Sequence, residues 1–192
     1  MARIGIDIDG VCYDFIDALR LYINESSGKP LEEMPEAQVW DFFEEQWGIN
    51  ANRYIKFVVD GVLDGKIFWQ GKIYPGCLEV IRTLKQMGHE IIFITARKFH
   101  TIEAICALAT ISWIEQNNLP YDKIIVSNDK TGYDLDLLID DSPNQIENHV
   151  LHGEHAVIFD QPWNQDIKYC DRVYGWNDVL KYVENYFQKV SM

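Results

Sequence analysis

Five short apolar runs, rich in β-branched residues and each closed by a polar one, restrict this chain more than any other feature. They are Ile4-Gly5-Ile6 before Asp7, Ile91-Ile92-Phe93-Ile94 before Thr95, Ile124-Ile125-Val126 before Ser127, Leu137-Leu138-Ile139 before Asp140, and Ala156-Val157-Ile158-Phe159 before Asp160. A continuous apolar run, unlike an alternating one, suits a strand covered on both faces, as in a parallel sheet. Parallel neighbours need crossover connections, and the intervening segments carry helical patterns. Residues 76–87 place Leu78, Val80, Ile81, Leu84 and Met87 at helical spacing and stop at Gly88, a C-terminal cap. Residues 101–116 repeat Ile102, Ile105, Leu108, Ile111 and Ile114, and residues 176–189 repeat Val179, Leu180, Val183 and Phe187. Strands alternating with helices predict a doubly wound α/β fold.

The chain of 192 residues accommodates one such domain with a modest insertion. Residues 13–73 are that insertion: they hold much of the aromatic content, read as helical and irregular, and carry a loop at Asn24-Glu25-Ser26-Ser27-Gly28-Lys29-Pro30. The expected division is a core of residues 1–12 and 74–192 with a small, mainly helical cap of residues 13–73. Hydrophobic residues make up 47% and charged residues 24%, which argues against wholesale disorder. A formal charge of −13 argues against a broad basic surface for a polynucleotide, though not against a small anion held by local donors or a metal. Cys12, Cys77, Cys106 and Cys170 form no CxxC pair and read as thiols in a reducing compartment. The N-terminus runs straight into a strand-like segment, and no apolar stretch approaches the ~20 residues that span a bilayer. A soluble, cytoplasmic protein is expected.

Ligands of doubly wound sheets bind beyond the carboxyl ends of the strands, where this chain places Asp7, Thr95, Ser127 and Asp140. Asp7 and Asp9 stand two apart on extended chain and share a face. Gly10 allows a sharp exit and close approach of a ligand. Two carboxylates at one strand end repel, so a cation, a raised pKa or both must relieve them. Asp140-Asp141 adds a second acidic pair at the same sheet edge. Such hard oxygen ligands suit Mg²⁺, which takes one or two carboxylates plus water and phosphate. Lys130 follows the strand ending at Ser127 closely enough to reach the same mouth. His149, His152 and His155 recur every three residues, but Gly153 interrupts any helix, so an ordinary surface segment is expected there. The loop Asp160-Gln161-Pro162-Trp163-Asn164-Gln165-Asp166 lies near the mouth without an assignable role. No GxxxxGK[ST] or GxGxxG is present.

Asp7-Ile8-Asp9-Gly10-Val11, Thr95, Lys130 and Asp140-Asp141 resemble the four ordered motifs of the haloacid dehalogenase superfamily. Asp129-Lys130-Thr131 followed by Leu137-Leu138-Ile139-Asp140-Asp141 is similar to the 5'(3')-deoxyribonucleotidases. The resemblance implies a Rossmann-like core with the cap inserted after the first strand, and Mg²⁺-dependent phosphomonoester hydrolysis. Asp7 would be the nucleophile that forms an aspartyl-phosphate, and Asp9 the acid and base that also offers its backbone carbonyl to the metal. Asp140 would complete the metal site with Asp7, and Asp141 would orient its neighbours or bind the ion through water. Thr95, Ala96 and Lys130 would hold the phosphoryl group. Phe15 occupies the position that packs on the nucleobase, and Trp40, Phe42, Phe43 and Trp47 fall in the cap stretch that completes the pocket. The deoxyribonucleotidases usually follow the second-motif threonine with serine and proline; here Ala96 and Arg97 stand there. Arg97 either contacts substrate or pairs with a surface carboxylate.

The expected partner is a small phosphomonoester, a nucleoside monophosphate, and neither a membrane nor a polynucleotide; a homodimer is left open. Two alternatives remain beside a 5'-nucleotidase. One is a phosphatase of polynucleotide ends or of another small metabolite. The other is a catalytically silent binding protein of the same fold.

Overall fold

The computed structural model describes residues 1–190. Its sheet contains β1 (Arg3–Ile6), β2 (Glu90–Thr95), β3 (Lys123–Val126), β4 (Leu137–Asp140), β5 (Ala156–Phe159) and β6 (Asp171–Val173). The order is β3-β2-β1-β4-β5-β6, with every pairing parallel. Five of these strands are the apolar runs. The sixth escaped the sequence reading because it is three residues long and opens on Asp171-Arg172.

Continuous hydrophobicity is explained by coverage on both faces. Ile4, Ile6, Phe93, Leu137 and Ile139 face one cluster, which holds Val80, Ile81 and Leu84 of α4 (Cys77–Gln86) and Trp176, Val179 and Val183 of α7 (Trp176–Val190). Leu138, Ile94 and Ile158 face the opposite cluster with Ile146 of α6 (Pro143–Leu151). Each fully buried aliphatic side chain contributes about 1.5–3 kcal/mol.

Between β1 and α4 lie α1 (Phe15–Ser27), α2 (Phe42–Glu45) and α3 (Ala51–Leu63). Asp14 caps α1 by accepting the Asp17 N–H, and Asn50 caps α3 by accepting that of Arg53. Leu19, Ile23, Val58, Val62 and Trp47 form a cluster of their own, closed by Ile102, Cys106 and Ala109 at the start of α5 (Glu103–Gln116).

The apolar repeat over residues 101–116 does form a helix, but only part of it is buried. Ile105, Leu108 and Ile111 face solvent, whereas Cys106, Ala109, Thr110, Trp113 and Ile114 are buried. Small side chains let α3 pack closely against this face, so the larger aliphatics turn outward. The histidines occupy separate environments: His149 is buried with Nε2 3.3 Å from Glu154, His152 is exposed, and His155 stacks on Tyr186 at 4.2 Å. His149 is therefore not part of a surface segment. No helix among the described residues is long and apolar enough to cross a membrane.

Candidate active site

From β1 the chain crosses outward to β2 and β3, then returns to place β4 on the other side of β1. The reversal opens a crevice between the carboxyl ends of β1 and β4. The Asp7 N–H donates to the Ile139 carbonyl at 2.9 Å and extends the ladder one step into that crevice. The Ile8 carbonyl then accepts the N–H groups of Cys12 and Tyr13, curling the chain into a tight turn. Gly10 sits there at φ 78, and a Cβ on it would lie 2.3 Å from Asp141 Oδ2, so glycine is required both for the turn and for room beside the acid.

Lys130 is buried between two of the acids. Its Nζ lies 2.7 Å from Asp7 Oδ1 and 2.6 Å from Asp140 Oδ2. Asp140 Oδ1 accepts the Ser142 N–H at 2.8 Å, at the start of α6. Asp7, Asp140 and Asp141 bring carboxylate oxygens within 4.8 Å of one another, all buried. One ammonium against these three carboxylates leaves negative charge uncompensated. Burial pushes the Asp7 carboxyl up to about 7; Lys130 opposes the rise, and Asp140 and Asp9 add to it. Burial likewise pushes Asp141 well above its usual range, reinforced by Asp7 and Asp140. For Lys130, burial disfavours the charged form, but Asp140 and Asp7 outweigh it and hold the ammonium above its ordinary pKa. An all-oxygen donor set with excess negative charge fits a hard divalent cation.

A cavity of about 420 Å³ opens above these groups, within the range of small-molecule sites. Asp7, Asp9, Ala96, Arg97, Lys130 and Asp141 are among its lining residues. Phe15, Trp40, Phe43, Tyr54 and Phe68 line it as well. Phe15 lies 6.0 Å from Phe68, and Phe43 stacks on Tyr54 at 4.2 Å. Phe42 also reaches the cavity, whereas Trp47 is core, its indole N–H bound to the Pro35 carbonyl. Asp140 and Thr95 are buried and do not line it. Thr95 is 1% exposed and its hydroxyl has no partner among the described residues. A buried unpaired hydroxyl costs about 1–3 kcal/mol, which an arriving acceptor would recover.

Several pairings within the site were not legible beforehand. Arg97 pairs with the partly exposed carboxylate of Asp9, through Nε at 2.8 Å and Nη2 at 2.7 Å, and also lines the cavity. The loop after β5 braces the two acidic turns. Trp163 Nε1 donates to Asp141 Oδ2 at 2.9 Å, Gln161 Nε2 to the Gly10 carbonyl at 2.6 Å, and Asn164 Nδ2 to the Asp141 carbonyl at 2.9 Å. Arg172 of β6 fixes Asn164 in turn. Its position after a strand end at the same sheet edge was the available signal.

A family model for "5' nucleotidase, deoxy (Pyrimidine), cytosolic type C protein" matches residues 1–187. The chain is 30% identical over 183 residues to the "Putative 5'(3')-deoxyribonucleotidase" of Chlorobaculum tepidum, covering 94% of this chain and 89% of that one. It is 23% identical to the human mitochondrial 5'(3')-deoxyribonucleotidase, over 93% of this chain and 80% of that protein. The fold is shared with a haloacid dehalogenase superfamily hydrolase from Ehrlichia chaffeensis (TM-score 0.55, 12% identity, 95% of this chain and 96% of that one). It is also shared with the beta-phosphoglucomutase of Clostridium difficile (TM-score 0.57, 12% identity, 100% of both chains). Sequence, motifs and fold agree: this chain belongs to the cytosolic type C 5' deoxy(pyrimidine) nucleotidase family, phosphatases with the haloacid dehalogenase fold.

Proposed function

We propose that the protein is a Mg²⁺-dependent 5'-nucleotidase that hydrolyses (deoxy)ribonucleoside monophosphates through an aspartyl-phosphate on Asp7. The observation that carries this reading is one cavity lined both by Asp7, Lys130 and Asp141 and by a group of aromatic rings. The polar groups suit a phosphate and the rings suit a planar base.

Asp7 and Asp140, with the Asp9 backbone carbonyl, would hold Mg²⁺, and Asp141 would act on it through water. When bound, the ion screens Asp7 from the charge of the incoming phosphate. An Asp7 oxygen bonds to phosphorus as the bond from phosphorus to the nucleoside oxygen breaks, and Asp9 delivers its proton to that oxygen. A water then attacks phosphorus, its proton returns to Asp9, and Asp7 is released. The Lys130 ammonium, the Thr95 hydroxyl and the Ala96 backbone N–H offset charge on the phosphoryl oxygens. Residues 13–73 act as the cap over this site, with Phe15, Trp40 and Phe43 against the base.

The test is phosphate release with Mg²⁺ from 5'- and 3'-monophosphates, sugar phosphates and 5'-phosphorylated oligonucleotides. A kcat/KM at least ~10-fold higher for 5'-mononucleotides than for the others is expected, the scale of a few well-placed contacts. Preference for oligonucleotide ends or sugar phosphates would transfer the assignment to those substrates, and no release at all would identify a silent binding protein. The metal reading has its own check. Trp163→Phe keeps the ring and removes the N–H bound to Asp141, so calorimetric Mg²⁺ affinity is expected to fall ~10-fold, the loss typical of an outer partner of a ligand. Equal affinity would show that Asp141 needs no such support.

A further inference from the structure

We infer that Arg97 is a positioning residue that sets the orientation of the Asp9 carboxyl group for proton transfer to the leaving nucleoside oxygen. Its side chain is 1% exposed, and its two bonds to Asp9, one to each carboxylate oxygen, form a planar fork. A fork of this kind fixes both the plane and the facing of a carboxyl group, which a single contact cannot do. Each carboxylate oxygen has two lone pairs, so a second remains on each for a proton. Asp9 itself lines the cavity and keeps 27% of its side chain exposed.

The guanidinium is held from three further sides. Its carbon lies 4.1 Å from the Phe68 ring centroid and 4.8 Å from that of Tyr13, and Nη1 donates to Thr110 Oγ1 at 3.1 Å. Thr110 in turn donates to the Cys106 carbonyl at 2.8 Å within α5. Tyr13 is locked as well: its hydroxyl donates to the Gln70 carbonyl at 2.6 Å and accepts the Phe68 N–H at 3.2 Å. Phe68 adopts a left-handed backbone, φ 68, that a side chain rarely takes without compensation from its surroundings. The strand-end turn, α5 and the segment returning from residues 13–73 thus all bear on one guanidinium. These contacts fix the plane of the guanidinium, and through the fork the plane of the Asp9 carboxyl group.

The inference rests on the reading of Asp9 as the acid, and leaving-group dependence tests the two separately. A nucleoside oxygen is a poor leaving group and needs a proton; p-nitrophenolate leaves without one. For both substrates, kcat/KM covers the steps up to leaving-group departure. In Arg97→Lys, which keeps the charge and loses the fork, kcat/KM is expected to fall at least ~10-fold for a nucleoside 5'-monophosphate and to stay within ~3-fold for p-nitrophenyl phosphate, a part of the ~10²–10⁴-fold that a positioned acid supplies. Asp9→Asn is expected to show the same split, larger. If Asp9→Asn shows the split and Arg97→Lys lowers both substrates equally, or neither, Arg97 does not position the acid. If Asp9→Asn shows no split, Asp9 is not the acid and the inference goes with it. Should Arg97→Lys melt below the assay temperature, Thr110→Val removes one support of the guanidinium without touching the cavity. It is expected to give a smaller split of the same sign, and a uniform change in both substrates would overturn the proposal.

Discussion

Replacing Asp7 by Asn is expected to cut phosphate release from a nucleoside monophosphate by at least ~10⁴-fold while leaving the protein folded, the scale for deleting a covalent nucleophile. The amide is nearly isosteric, but its lone pairs are delocalised and it carries no charge to drive attack on phosphorus. The fold should tolerate the change. Asp7 is buried, and burial together with Asp140 and Asp9 raises its pKa to about 7, so the ionised carboxylate is held there at a cost. Lys130 keeps Asp140 as a partner at 2.6 Å after the substitution. A melting temperature in metal-free buffer no lower than that of the parent protein is therefore expected. Acid quenching during turnover of the parent protein should trap one phosphoryl group on the peptide bearing Asp7. Activity of Asp7→Asn within ~10-fold of the parent would remove Asp7 as the nucleophile.

Lys130→Ala is expected to damage both rate and stability. Its ammonium is the cation between Asp7 and Asp140 and lines the cavity, where phosphoryl charge would develop. Loss of one such preorganised contact lowers kcat by at least ~10²-fold. Removing it also leaves two buried carboxylates facing each other, and breaking a buried ion pair of this kind costs about 3–5 kcal/mol. Denaturant unfolding without metal should show that loss, and Mg²⁺ should restore part of it by supplying the missing positive charge. The sign separates this residue from Asp7, whose neutralisation relieves repulsion where that of Lys130 exposes it. An unaltered rate would refute its role at the phosphate, and unaltered stability would show that the carboxylates are neutral without it.

Three of the four haloacid dehalogenase motifs were readable because each sits where a local pattern ends; Lys130, beyond the end of β3, was assigned through the resemblance. A strand covered on both faces must be apolar throughout, so the first polar residue after Ile6, Ile94 or Ile139 marks the crevice side of the sheet. The aromatic residues between β1 and α4 were visible as a group, but not their division: Phe43 and Tyr54 face the cavity, while Trp47 is core. Periodicity located α5 but not its inner face: Ile102 and Ile114 are buried with Cys106 and Ala109, while Ile105, Leu108 and Ile111 face solvent.

By itself the sequence determined the parallel strands, the edge at which polar groups collect and the acids placed there, since these follow from the backbone period and from burial on two faces, while Lys130 came from the family resemblance. Only the tertiary structure decided the partners: Arg97 with Asp9 across 88 residues, Trp163 with Asp141 across 22, and Lys130 between acids from two strands. Those pairings depend on how connecting loops fold over the sheet edge. A guanidinium or an indole N–H can satisfy many acceptors, and nothing periodic in the chain says which will be within 3 Å.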